Sequence, residues 1–415
     1  MTPKSARLDR LIDAMFAVAF FAVAWLTVMG HRGLAPSVAF MAIAVGLRRE
    51  TWRGAASLVF PRGLRARALS IAAWSGGAFC IWIAITGAWS QSAADAAWLA
   101  LTVFSALAAS GALIFEALNA SPRRAARLGA MFSIAVAAGV LALFFEGLSG
   151  AYLRDVTPPV DTSPARWKDF VSLGRGASAM APLVFPASVL IWRLTRVRVL
   201  GAAFAPILFV ASAQFSIFTN NAAIAAGSLA ALVALARPNT ATLFVAALSI
   251  LLLVFAPVFA AGVGAALDGA DLPASWAQRV VIWKEAGETA LSSCMPLGCG
   301  ADYARALAAE QRLIAAPGPA FGLPAMPIHP HNAFLQIWLE LGVPGVLTLS
   351  AAICAAALAI IRARPGGAAA AAICGAAVAV LVSLMTETSI WQAWRLSILC
   401  LAAFGAAMAY GRAKA

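Results

Sequence analysis

The chain has 415 residues, 62% of them hydrophobic (AVILMFWYC) and 11% charged, with a formal net charge of +13. Soluble domains average roughly 45–50% apolar and about 25% charged residues, so a water-soluble globular protein is excluded. A nucleic-acid binder needs its basic residues on a hydrophilic face, and a mean hydropathy of +0.87 leaves little room for one.

A helix crossing a hydrocarbon core of about 30 Å needs about 20 apolar residues. Apolar windows occur at 11–29, 33–47, 69–88, 96–118, 129–150, 178–194, 199–217, 222–236, 242–265, 343–361, 367–385 and 394–411, the second and eighth being short. The pattern predicts an all-α polytopic membrane protein, one transmembrane domain over 1–415 with about twelve helices and both termini on one side. Asp13 interrupts the start of the first apolar run, which then continues long enough to span, so this helix is expected to stay as an anchor rather than be removed as a signal peptide. Cys80, Cys354, Cys374 and Cys400 fall inside apolar runs and read as small core residues. The Ala-rich tract 367–373 reads as a surface for close helix packing.

Placing the termini in the cytoplasm collects most of the cations on that side: Lys4, Arg7, Arg10, Arg48, Arg49, Arg53, Arg62, Arg65, Arg67, Arg123, Arg124, Arg127, Arg193, Arg196, Arg198, Arg237, Arg362, Arg364, Arg412 and Lys414. Short inner loops are where the positive-inside rule operates. Only Asp9, Asp13, Glu50 and Glu116 among the acids fall there. The outer side keeps Arg32, Arg154, Arg166, Lys168, Arg175, Arg279, Lys284, Arg305, Arg312 and Arg395. The positive net charge is thus mainly a topology signal.

Two outer segments exceed simple turns, a smaller loop over 151–177 and a large one over 266–331 between the ninth and tenth helices. Long connections are uncommon unless functional. In the large loop, the stretch from Ser275 to Ser293 predicts an amphipathic helix with Ser275 as N-cap and with Arg279 and Trp283 on one face. Arg279 can snorkel to headgroups or stack on Trp283, or present its planar fork to a phosphate. Cys294 and Cys299 enclose a Pro/Gly turn and are either free thiols or, in an oxidising compartment, a small disulfide loop.

His329-Pro330-His331-Asn332 is the densest constellation. Pro330 keeps His329 extended, and Asn332 is a good N-cap for the helix that follows. His331 then lies just before a helix N-terminus, whose dipole disfavours imidazolium and leaves a neutral ring suited to general-base work. Two histidines one residue apart, without further His or Cys nearby, are a weak zinc signal, and no metal or other cofactor is expected. In the smaller loop, Gly174 and Gly176 would let backbone approach a ligand beside Arg175. Phe218-Thr219-Asn220-Asn221 offers caps or oxyanion donors. Trp276, Trp283, Trp338, Trp391 and Trp394 either stack on sugar or form an interfacial belt.

The spacing His331-Asn332, nine residues, Gly342, two residues, Gly345 resembles the H[NSQ]-x9-G-x-x-G signature of the O-antigen ligase family, which is related to the O-antigen polymerases. Arg279-Val280-Val281-Ile282-Trp283 followed by Pro296-Leu297-Gly298-x-Gly300 is similar to that family's R-x-x-x-W…P-x-G-x-G segment. The resemblance implies a glycosyltransferase of the bacterial inner membrane with a periplasmic active site, moving a polysaccharide from undecaprenyl diphosphate to a sugar of lipid A-core without a metal. It implies that His331 is the essential His and Arg279 an essential Arg. A further family Arg lies in an S-R-G-like turn; Thr219-Asn220-Asn221 has the position without the Arg, and Leu173-Gly174-Arg175-Gly176 has the Arg one loop earlier, so Arg175 takes that role. The chemistry agrees: Arg279 and Arg175, with Lys284, would neutralise the leaving diphosphate, and His331 would take the acceptor proton during an inverting displacement. His329, Asn332, Trp283, Asn220 and Asn221 are the expected substrate neighbours.

The alternatives are an O-antigen polymerase, a transferase to protein hydroxyls, or a lipid-linked glycan transporter. Transporters hold ionisable groups near the midplane, whereas Asp13, Glu116 and Glu146 fall near span ends.

Overall fold

In this computed structural model the described residues are 3–411 other than 49, 52, 55–63, 158–165, 216, 268, 269, 317 and 388. The inner-side assignments of Arg49, Arg62, Arg412 and Lys414, and part of the smaller loop, lie outside them. Each apolar window becomes helix. In chain order the helices are α1 (Pro3–Met29), a 3-10 turn (His31–Gly33), α2 (Leu34–Gly46), α3 (Leu64–Thr86), α4 (Ala93–Asn119), α5 (Pro122–Ser149), α6 (Tyr152–Val156), α7 (Arg166–Thr195) and α8 (Arg198–Ala213). There follow α9 (Thr219–Ala236), α10 (Pro238–Val254), α11 (Ala256–Ala266), α12 (Ala274–Ser292), α13 (Tyr303–Ala309), α14 (Ala333–Ala363), α15 (Gly367–Thr386) and α16 (Ala393–Gly411). The described residues show one pairing of extended backbone, the bridge Leu313–Pro324. The chain is an all-α multi-pass membrane protein.

Among the described residues nine helices are long and apolar enough to cross a bilayer. Two windows differ from expectation. The ninth is broken: α10 and α11 meet at 74°, with Pro257 at the start of α11, where no N–H is needed. The seventh, not the eighth, is short, since α8 has 16 residues and α9 reaches 18 by recruiting Thr219, Asn220 and Asn221. The second is short as expected, a 13-residue α2.

Two apolar cores divide the bundle. One joins α1, α2, α5, α7 and α16 around Phe16, Phe20, Phe132 and Phe404. The other gathers α3, α4, α11, α12 and α14 around Ile83, Ile282, Leu335 and Leu341. Ala369–Ala372 are buried, in keeping with a small-residue packing surface. Cys354 departs from its expected core position and is exposed, while Cys80, Cys374 and Cys400 are buried.

Where α1 begins, Asp13 pairs with Arg124 and Arg127, both at 2.6 Å, and Glu116 and Asp9 pair with Arg48 and Arg124. Past the other end of α1, about 24 Å of helix away at 1.5 Å per residue, the chain assembles the site.

Candidate functional site

The kink in α14 explains the glycine spacing. Pro344 has no N–H to give and Gly342 takes φ 59, ψ −154, so carbonyls near the break lose their helical partners. The loop after α12 replaces them: Cys299 N donates to Leu339 O at 2.9 Å and Gly300 N to Glu340 O at 3.0 Å, while Val343 N donates to Pro296 O at 2.8 Å. The Trp82 indole donates to Leu341 O at 2.8 Å. The backbones touch so closely that a Cβ on Gly342 would lie 2.3 Å from Pro296 O, and one on Gly298, at φ 81, 2.4 Å from Glu340 O. Cys294 and Cys299 are joined by a disulfide, Cα atoms 4.8 Å apart, closing this turn. Fully buried Glu340 accepts from Asp302 N at 2.8 Å, Gln336 Nε2 at 3.0 Å and the Trp391 indole at 2.6 Å.

Those contacts anchor α14, whose N-terminus presents the histidines. Asn332 Oδ1 accepts from Phe334 N at 3.0 Å and Leu335 N at 3.1 Å, capping the helix. His331 takes the left-handed conformation, φ 52, uncommon for a non-glycine residue. Its main-chain N–H donates to His329 Nδ1 at 3.2 Å, and the rings meet at 4.5 Å. The Trp283 indole donates to Pro330 O at 3.0 Å, so α12 holds the segment between the histidines. Burial, reinforced by Arg279 and opposed by Glu387, pushes His331 down to about 4. Burial, with His331 and Arg395 adding to it, pushes His329 down to about 3. Both rings are therefore neutral at pH 7, and His331 Nδ1 is buried without a hydrogen-bond partner.

Cations converge on the same place from three elements. From α12, Arg279 donates to Thr386 O at 3.1 Å and Ser275 O at 3.0 Å and lies 5.2 Å over the Trp276 ring. From α16, Arg395 reaches Ser178 at 2.8 Å, Ser383 at 2.9 Å and Glu387 at 3.4 Å, with its guanidinium 4.1 Å above Trp394. Ser383 and Ser178 both donate to Glu387 as well. From α7, exposed Arg175 has Arg32 and Glu387 as its charged neighbours. Arg175, Arg279 and Arg395 thus share Glu387 as opposite charge. Three guanidiniums around one carboxylate leave a positive surplus, the electrostatic form of an anion site.

Several expectations change. Arg175 lies within α7, because 166–177 is helical rather than loop. Its flanking glycines serve helix packing: a Cβ on Gly176 would sit 2.0 Å from Thr27 O, and one on Gly174 2.9 Å from Ile217. The N-cap of α12 is Pro273, not Ser275. Arg279 stacks on Trp276 instead of Trp283. Lys284 is exposed, its stem 3.2 Å from where a Gly264 Cβ would be, which turns it toward α11. Asn220 and Asn221 are buried and neither caps α9 nor offers a free amide. Asn220 donates to Gly174 O at 2.7 Å, beside Arg175, and Asn221 to Phe209 O at 2.8 Å. The tryptophans are not a simple belt: the Trp283, Trp338 and Trp391 indoles all donate to protein acceptors.

Glu387, Ser178 and Ser383 escaped sequence reasoning, and Arg395 registered only as an outer cation at the start of the last span. Among the described residues no group of three or more His, Cys, Asp and Glu is placed to hold a metal ion. No curated protein matches the chain. The family model described as O-antigen ligase matches residues 218–350, from the start of α9 through Arg279, the cysteine turn and His331 to the kinked part of α14. That segment, whose motif residues build the junction just described, is the part of the chain that is similar to the O-antigen ligase family.

Proposed function

We propose that this protein is an O-antigen ligase of the bacterial inner membrane. It transfers a polysaccharide from undecaprenyl diphosphate to a sugar hydroxyl of lipid A-core at the periplasmic face, without a metal and with inversion. The observation that carries the reading is the positive surplus of Arg175, Arg279 and Arg395 around Glu387, next to a neutral His331. A lipid-linked diphosphate supplies the missing negative charge. The charge sorting along the sequence supports placing this end outside, and so does the Cys294–Cys299 disulfide, a bond suited to an oxidising compartment.

In this reaction the acceptor oxygen attacks the anomeric carbon while its proton passes to His331. The carbon–oxygen bond to the diphosphate breaks, and undecaprenyl diphosphate leaves with the electron pair. The arginines neutralise the charge that grows on it. Donor binding also prepares the base: an anion beside Arg279 offsets the positive charge that holds the His331 pKa down, so the ring becomes more basic in the complex. Trp283 and Asn332 position His331, and Asn220 steadies the Arg175 segment.

The test is transfer by purified protein from a glycan-linked undecaprenyl diphosphate to lipid A-core with no ion gradient. Transfer is expected from the parent and lost in His331→Ala that inserts normally; gradient-dependent movement without transfer would instead favour a transporter. A deletion strain separates ligase from polymerase. Lipopolysaccharide lacking its cap, with polymer accumulating on undecaprenyl diphosphate, is the ligase outcome.

A further inference from the structure

The third histidine of the chain lies far from the other two in sequence, on the 3-10 turn that follows α1. His31 is 8% exposed and its Nδ1 has no hydrogen-bond partner, a costly state for a buried polar atom. Its ring meets Trp394 edge-on at 4.5 Å, and the Arg395 guanidinium covers that same indole.

The turn is fixed in place. Arg154 donates to Val28 O at 2.7 Å at the end of α1 while pairing with Asp169 of α7 at 3.0 Å. The contact of Gly176 with Thr27 O then sets the turn against the residue next to Arg175. The charged groups facing the ring are Arg175, Arg395, Arg32 and Arg154, all cationic, and with burial they hold the imidazole neutral, at about 3. His329 feels Arg395 and Arg175 as well, so all three histidines border one cationic cluster. Every charged neighbour of His31 is a donor, and none can accept from an N–H. An anion is the partner this arrangement lacks.

We infer that His31 is a further contact for the lipid-linked donor: its neutral imidazole donates a hydrogen bond through Nδ1 to a phosphate oxygen of a diphosphate lying against Arg175 and Arg395. The inference rests on the reading that this site takes a lipid-linked diphosphate. The test measures binding of undecaprenyl diphosphate, without glycan, to the full-length protein in lipid nanodiscs. His31→Phe keeps a ring against Trp394 and removes the N–H; His31→Gln keeps a donor. His31→Phe is expected to weaken binding about tenfold, the loss of one hydrogen bond to a charged group, and His31→Gln to stay within about threefold of the parent. If the Phe variant does not fold, His31→Leu takes its place in the comparison. Unchanged binding in His31→Phe, or equal losses in both variants, overturns the inference. Arg279→Ala separates the two readings. If it abolishes binding while His31→Phe binds like the parent, the donor reading stands and the His31 contact falls; if the parent itself does not bind undecaprenyl diphosphate, both fall.

Discussion

At the end of the bundle where α1 begins, Arg48, Arg124 and Arg127 meet Asp9, Asp13 and Glu116, charge for charge. At the opposite end Arg175, Arg279 and Arg395 share Glu387. Both groups consist of charges drawn from several helices, yet they do different work. The balanced cluster satisfies itself and pins α1, α2, α4 and α5 together. The unbalanced one repels itself, a surplus that the proposed diphosphate would relieve, so in that reading its arginines are held for a ligand at a cost to stability. The balance of charge, more than its burial, separates a strut from a site.

The largest expected effect that tests this contrast is on chemistry. His331→Ala should lower transfer by about 10²–10⁴-fold, the range for a general base, with normal insertion; full activity in that variant would end the base assignment. Arg279→Ala should cost about 10²–10³-fold, as for loss of one donor to a developing negative charge. At the balanced end, Asp13→Ala leaves buried Arg124 with Glu116 alone and takes the carboxylate from exposed Arg127, and should destabilise by about 1–3 kcal/mol, read as a lower thermal midpoint, while the folded fraction binds donor normally. An equal drop in donor affinity in Asp13→Ala and Arg279→Ala would erase the distinction.

Gly342→Ala sharpens the comparison from the uncharged side. Its methyl would meet Pro296 O at 2.3 Å and Gly298 N at 2.4 Å, so the α14 kink should separate from the disulfide loop at a cost of about 2–3 kcal/mol. Faster proteolysis within 293–301 would report it, and a resistant loop would show that the kink is not what holds it.

The smallest effect is on pH. The base must be neutral, so kcat/KM should be flat above the His331 pKa of about 4 and fall tenfold per unit below it. Glu387→Gln removes the carboxylate that raises this pKa, and the acid limb should move lower by less than about one unit. A limb that stays in place would show that the Glu387 charge does not reach the base. The lowered His329 and His331 values also mean that the unfolded chain takes up more protons. Their contribution to stability is complete above about 6.5 and is lost as pH falls toward 4 and then 3.

The helices were legible because burying a backbone in lipid is a local demand that an apolar window records directly. The motif residues were legible for a similar reason. Asn332 is a cap and Pro344 a missing donor whatever the rest of the chain does, and the glycines at 298 and 342 mark backbone contacts that a side chain would block. His331 and Arg279 were singled out through that spacing. Arg175 was singled out by its charge, but its position inside α7 was not, because helix start signals fail where a glycine pair is used for packing.

Residues within a turn or two of one another were enough to specify a polytopic helical protein, the distribution of its charge, and the Asn332-capped helix that follows His331, whereas the kink in that helix emerged from the fold. Only the tertiary structure decided which cations count. Glu387, Arg395, Ser178 and His31 lie on separate elements and come together only when the turn after α1, α7, the end of α15 and α16 converge. It also gave Asn220 and Asn221 hydrogen bonds to neighbouring backbone and turned Lys284 toward α11. A charge is read from its own residue, but whether it is balanced depends on neighbours that folding alone brings near.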